Sequence, residues 1–237
     1  MAQLGLSIKE RRMASQARLH LPGCPLHIIQ RGHLRQPCFF HRSDYLVYLD
    51  CVREYSRFNG VATHAYVLMT NHIHLLVSAD DVMPISAMMK GVSQKYTQYL
   101  NRRFERKGTW WEGRFRSSPV PVDRYALICQ RYIELNPVRA AMVSSADEYR
   151  WSSYAGNAGV QPDDLLTPHS VYLDLSKLTA ARHEIYRQLL SVPISPDHLQ
   201  AIRQAVIGNH PVGLPPDTRR KSKTPASEPG KFPEFGI

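Results

Sequence analysis

Apolar positions follow two rhythms along the chain, and the order of those rhythms predicts the architecture. Pro25 to Gln30 holds Leu26, Ile28 and Ile29 in a short strand-like run that stops at Arg31-Gly32. From Ser43 onward Leu46, Tyr48, Leu49, Val52, Tyr55 and Phe58 recur at helical spacing, and Asn59-Gly60 ends the run. Val61 to Met69 and His72 to Val77 read as antiparallel strands joined by a turn at Thr70-Asn71. Pro84 opens a long helix through Met88, Met89, Val92, Tyr96, Tyr99 and Leu100 toward Arg106. Arg114 to Val122 is extended, and Pro119 and Pro121, which lack amide donors, make it an edge strand. Asp123 caps the next helix. That helix ends near Asn136, because Pro137 disfavours helical geometry in the residue before it. The order strand–helix–strand–strand–helix–strand–helix predicts an α+β fold, a ferredoxin-like antiparallel sheet with helices packed on one face.

Outside this unit the rhythm changes. Residues 1–19 are polar and mixed and read as an N-terminal arm, which leaves 20–157 as the principal domain. Residues 158–210 form a C-terminal helical extension, with helices near 176–191 and 196–208. From 211 to 237 six of 27 residues are proline, and Arg219-Arg220-Lys221-Ser222-Lys223 is a basic cluster, so a disordered basic tail is expected.

Composition narrows the classes of function. The longest apolar runs, such as Ala65 to Met69, span five residues. A membrane helix needs about 20, so no membrane partner is expected. Cys24, Cys38, Cys51 and Cys129 form no C-x-x-C pair, which argues against a zinc finger or thioredoxin-type site and fits reduced thiols in the cytoplasm. Thirty Lys and Arg against 20 Asp and Glu give a net charge of +10. A field of that sign attracts polyanions, of which nucleic acid is the commonest.

Three places carry candidate chemistry. In Asn71-His72-Ile73-His74-Leu75-Leu76, strand alternation turns His72 and His74 to the same face. Two imidazoles so placed can grip one metal ion, although a polar sheet face with two unrelated histidines has the same spacing. In Arg131-Tyr132-Ile133-Glu134-Leu135-Asn136-Pro137, Tyr132 and Asn136 are four apart and share a helix face. A phenol and an amide oxygen one turn apart can serve as nucleophile and metal ligand, or simply as a core tyrosine and a helix end. Tyr125 is a rival nucleophile. Its helical rise to Asn136 is about 16 Å, too far for one shared ion, which assigns it to packing or substrate contact. The third place is Asn101 to Arg116, where Arg102, Arg103, Arg106, Arg114 and Arg116 interleave with Trp110 and Trp111. Cations track phosphates and flat rings stack on unpaired bases, so these seven residues are the candidate DNA contacts.

Together these places resemble the REP-associated tyrosine transposases, an IS200-like branch of the HUH single-strand transposases. The stretches that carry the resemblance are Ala65 to Leu76, Trp111 to Phe115, Tyr132 to Ala140 and Tyr149 to Tyr154. It covers roughly residues 20–155, and its order and spacing are specific. The resemblance implies a ferredoxin-like fold, a metal held by His72, His74 and Asn136, and Tyr132 as nucleophile. The ion implied is Mg²⁺ or Mn²⁺. It also implies cleavage of single-stranded DNA beside a hairpin such as a REP-like palindrome, through a 5′-phosphotyrosine bond. The protein expected is a cytoplasmic, nucleoid-associated monomer or homodimer. His33 departs from the pattern, since relatives often carry Asn after the Arg-Gly pair. A non-catalytic hairpin-binding protein would keep the basic stretch and is the main alternative. A metallohydrolase of the amidohydrolase type would need further His and Asp ligands after Asn136, and the chain offers none in an evident set.

Overall fold

The computed structural model describes residues 23–121, 123–208 and 210–213. Within them β1 (Leu26–Arg31), α1 (Arg42–Asn59), β2 (Ala62–Met69), β3 (His72–Ser78), α2 (Val82–Arg103), β4 (Arg116–Pro119) and α3 (Asp123–Glu134) follow in the expected order. The strands form one antiparallel sheet in the order β2-β3-β1-β4. The α+β class and the ferredoxin-like antiparallel sheet read from the sequence are therefore what the chain adopts. The later elements are short α4 (Asn136–Arg139), α5 (Tyr154–Asn157) and α6 (Ser170–Leu173), then α7 (Thr179–Ser191) and α8 (Pro196–Gly208).

Strand parity sorts the sheet into two faces. Leu26, Ile28, Tyr66, Leu68, Ile73, Leu75 and Val77 point to one face, where they pack with Tyr48 and Val52 of α1 and Met88, Met89, Val92 and Tyr96 of α2. The two helices touch closely because α2 carries Gly91 at the crossing. A Cβ there would lie 2.2 Å from the Tyr55 ring. Asp44 fastens the start of α1. Its fully buried carboxylate accepts from the backbone amides of Phe40 and His41 at 2.8 Å, from Tyr99 Oη at 2.8 Å and from Arg103 Nη1 at 2.9 Å.

Ala65, Val67, Met69 and Leu76 point to the other face, where they meet Tyr125, Ala126, Cys129, Tyr132 and Ile133 of α3 and Ile202 and Ala205 of α8. The expected one-sided packing thus holds for α1 and α2 and not for α3, which lies on the opposite face. The physical reason is visible in β2. Its run Ala65 to Met69 is buried on both parities, so both faces demand a cover.

The C-terminal half clasps the sheet at both rims. Along β2, Leu68 donates to the Trp151 carbonyl at 2.9 Å, Ser153 to the Tyr66 carbonyl at 3.0 Å and Thr167 to the Thr63 carbonyl at 2.7 Å. Along β4, Val212 donates to the Pro119 carbonyl at 2.8 Å. Val212 is fully buried, so packed structure continues beyond 211, the residue at which the tail was expected to begin. The N-terminal arm and the basic cluster at 219–223 lie outside the described residues. No helix among the described residues is long and apolar enough to cross a membrane.

Candidate active site

The second face of the sheet collects the candidate chemistry. On β3 it presents His72 and His74, and on β1 it presents His27 and Arg31. Arg31 lies directly across from His72 in the β1–β3 pairing. Helix α3 lies over this face and brings Tyr132 down onto it. The Tyr132 ring centroid is 6.0 Å from that of His74 and 5.8 Å from that of His27, edge-on to both. The two motif histidines are themselves 5.1 Å apart, edge to face. The structure therefore joins three of the residues singled out in the sequence: His72, His74 and Tyr132.

Each motif histidine has one nitrogen committed. His72 Nδ1 is 2.7 Å from Asn71 Oδ1, and His74 Nδ1 is 2.8 Å from Nε2 of His27. Burial, then the charge of Arg139, pushes the His27 imidazole down to about 3. Burial, then Arg31, pushes His72 down to about 4. His74 is held well below its ordinary range by burial first, then by the two neighbouring imidazoles and the arginines. All three rings are therefore neutral at pH 7, the state in which imidazole binds a metal.

Arg139 completes the group. Its guanidinium stacks 3.9 Å over the Tyr132 ring, and its Nη1 donates to the Tyr132 carbonyl at 2.8 Å. Its Nη2 is buried and has no hydrogen-bond partner among the described residues. The helix carrying Tyr132 is anchored from the far side by Glu134. That fully buried carboxylate accepts from Ser153 Oγ at 2.6 Å, Asn157 Nδ2 at 2.7 Å and Tyr186 Oη at 2.8 Å. Segments 152–157 and α7 thus fix the height of Tyr132 over the sheet.

Asn136 lies just past the end of α3. The expected continuous helix stops at Glu134, Leu135 breaks it, and Asn136 opens the one-turn helix α4 with Pro137 at its second position. Pro137 thus ends one helix and is tolerated in the first turn of the next, where its missing amide costs nothing. Asn136 is half-buried and makes no side-chain hydrogen bond to the histidines among the described residues. Nor does any group of three His, Cys, Asp or Glu side chains converge on a common point among those residues.

The basic-aromatic stretch divides. Trp110 and Trp111 are buried, so the expected open stacking faces are not present on them. Trp110 donates Nε1 to Asn101 Oδ1 at 2.8 Å and packs under Arg106, whose guanidinium is 4.0 Å from the ring centroid. Trp111 lies in the core against Tyr48 and Tyr96. Both tryptophans brace the corner after β1: the Trp110 carbonyl accepts from His33 N at 2.8 Å, and Glu112 donates to the Arg31 carbonyl at 2.9 Å. Gly32 sits at that corner because a Cβ would lie 2.3 Å from the Gln36 carbonyl oxygen.

Arg102, Arg103, Arg106, Arg114 and Arg116 are exposed. Arg103 is committed to Asp44, while Arg116 pairs across from Ile29 and therefore shares the histidine face. Arg114 instead edges a cavity of about 630 Å³ on the α2 side, together with Trp111 and Phe115. Tyr125 packs at the other end of α3 against His198 of α8, with ring centroids 5.4 Å apart.

His27, Arg31 and Arg139 were not singled out in the sequence. A lone His or Arg in a strand has no motif, and only the register shows that His27 and Arg31 share the parity of the histidine pair.

A family model described as "Transposase IS200 like" matches residues 20–136. No curated protein matches. Among solved structures, a REP-associated tyrosine transposase bound to a REP hairpin aligns with a TM-score of 0.53 at 15% identity. That alignment covers 67% of this chain and 93% of that one. The likeness shows a shared fold. A transposase candidate from Deinococcus radiodurans R1 aligns with a TM-score of 0.36 at 20% identity, over 51% of this chain and 96% of that one.

Proposed function

We propose, from the match of residues 20–136 to the IS200-like transposase family, that the chain is a metal-dependent single-stranded DNA endonuclease and strand transferase of the REP-associated branch, with Tyr132 as its nucleophile. The observation that carries this reading is the convergence of His72, His74 and Tyr132 on one sheet face.

The donor chemistry fits a divalent cation. Both imidazoles are neutral, and both have Nδ1 engaged, which leaves Nε2 for the ion. Asn136 would add an amide oxygen from the start of α4. A bound Mg²⁺ or Mn²⁺ supplies neutralisation of charge developing on the scissile phosphate. Tyr132 attacks the phosphorus, the bond to the 3′ oxygen breaks, and that oxygen leaves as a hydroxyl after taking up a proton. The 5′ phosphate stays esterified to Tyr132. Attack by a 3′ hydroxyl reverses the step and joins strands without ATP, since one phosphodiester replaces another. Arg139, beside the nucleophile and with Nη2 unpartnered among the described residues, is a fixed positive charge for the incoming phosphate. Arg31 and Arg116 on the same face, with Arg102, Arg106 and Arg114, guide the strand. The DNA is an unpaired segment next to a hairpin.

Incubation with hairpin-bearing single-stranded DNA and Mn²⁺, followed by a denaturing gel, tests the reading. A covalent protein–DNA adduct is expected, and Tyr132→Phe abolishes it while hairpin binding persists. Tight binding by the wild-type protein with no adduct favours a non-catalytic hairpin binder. An adduct that survives Tyr132→Phe and disappears in Tyr125→Phe moves the nucleophile to Tyr125.

A further inference from the structure

Behind His74 the sheet holds a buried polar chain. His27 is fully buried on β1, and its Nε2 lies 2.8 Å from His74 Nδ1. Its other nitrogen, Nδ1, is buried without a partner among the described residues. Directly across the β1–β4 pairing from His27 is Ser118, also fully buried, whose Oγ has no partner either. Paired residues in an antiparallel sheet share a face, with Cβ atoms about 5 Å apart. The two orphaned polar atoms thus belong to directly paired residues of one layer. A buried orphan is destabilising, so an arrangement that pairs them is favoured.

The placement of the protons on the two imidazoles decides the direction in which they pair, since a hydroxyl both donates and accepts. Two neutral rings share one hydrogen between His27 Nε2 and His74 Nδ1. If His27 supplies it, His74 carries its own proton on Nε2 and offers no lone pair there. If His74 supplies it, Nε2 of His74 is free to bind a cation. The proton of His27 then sits on Nδ1, and the Ser118 hydroxyl oxygen, on the directly paired residue, can accept a hydrogen bond from it after a turn about χ1. We propose that His27, backed by Ser118, is a positioning residue that accepts from His74 Nδ1 and so holds His74 in its metal-binding tautomer, and that occupancy by the cation fixes the direction of this chain, with His74 donating to His27 and His27 to Ser118. This rests on the reading of His74 as a metal ligand.

The test is metal binding by the full chain, with Co²⁺ as a coloured probe and Mn²⁺ in competition. Wild type is expected to bind and His74→Ala to lose the visible band. His27→Phe, which keeps the ring and removes the acceptor, is expected to weaken binding roughly 10- to 100-fold, the usual cost of removing a partner behind a metal-bound imidazole. His27→Gln, whose side-chain oxygen can accept from His74 Nδ1, restores most of that loss. Ser118→Ala has a smaller effect, about threefold to tenfold. Circular dichroism identifies any variant that has not folded.

A second readout needs no variant. Long-range ¹⁵N correlation spectra of the Zn²⁺-loaded wild type are expected to show His74 protonated on Nδ1 and His27 protonated on Nδ1 only. Equal affinity in folded His27→Phe, or His27 protonated on Nε2 in the loaded protein, overturns the proposal. A wild type that binds no cation, or a His74→Ala variant that binds as tightly, overturns the underlying metal reading instead.

Discussion

The sheet has two faces built to different ends. Toward α1 and α2 it presents Leu26, Ile28, Leu68, Ile73, Leu75 and Val77, all fully buried, with Gln30 bonded to Ser93 and only the small hydroxyls of Thr63 and Ser117 buried beside them. Toward α3 it presents three imidazoles under a phenol and a guanidinium, with His27 Nδ1, Ser118 Oγ and Arg139 Nη2 left unpaired among the described residues. The first face is what maximal burial selects. The second buries ionisable rings and a guanidinium, the local departure from an apolar core that is expected where chemistry occurs.

Substitutions three residues apart on β3 break this comparison most directly. Leu75→Ala empties a site in the sealed face and is expected to cost about 2–5 kcal/mol in urea denaturation. His72→Leu, on the other face, is expected to change stability by less than about 1 kcal/mol, since an apolar group replaces a half-buried imidazole, yet to abolish DNA cleavage. Equal destabilisation by the two changes refutes the division of labour.

A histidine outside the proposed chemistry sharpens the point through pH. His64 sits at the bulge in β2, with Nδ1 2.7 Å from the Thr167 carbonyl and Nε2 2.8 Å from Ser78 Oγ. Burial, the largest cause, holds its pKa at about 4. The Thr167 bond opposes that shift, and nearby His169 adds to it. The unfolded chain, with an ordinary value near 6.5, therefore binds more protons between about pH 6.5 and 4. Stability contributed by neutral His64 is full above that window and is lost as pH falls through it, by at most about 3 kcal/mol. His64→Gln is expected to flatten the curve of unfolding free energy against pH there, and an unchanged slope removes His64 from the account.

The smallest effect separates arginines by face. In hairpin DNA binding, Arg31→Ala and Arg116→Ala are each expected to lower the slope of log affinity against log salt by about one. Arg103→Ala is expected to leave that slope unchanged and to loosen the α1–α2 junction, because its guanidinium is bound to Asp44. A reduced slope for Arg103→Ala would return it to the DNA footprint.

Much of this was legible in the chain. Periodicity placed β2 within a residue of its observed span, and the turn at Thr70-Asn71 set the register that turns His72 and His74 together. The seating of α3 on the opposite face was also within reach, since five apolar residues in a row from Ala65 to Met69 indicate a strand covered on both sides. Other features were hidden for physical reasons. Alternating cations and rings describe both a stacking platform and a buried brace, and only packing shows that Trp110 and Trp111 are the brace. The spacing of Tyr132 and Asn136 indicated one helix, while Leu135 divides it. His27 has no sequence signature because its meaning comes from a cross-strand neighbour 47 positions away.

The clasped rims have a consequence for assembly. An uncovered outer strand invites a second chain to add its own strand. Here Trp151, Ser153 and Thr167 occupy backbone groups along one border, and Val212 occupies the other. Two copies that associate, whether on a shared DNA or free in solution, must therefore meet through side chains or exchanged segments, because a continuous intermolecular sheet would first require the C-terminal half to peel away from its own.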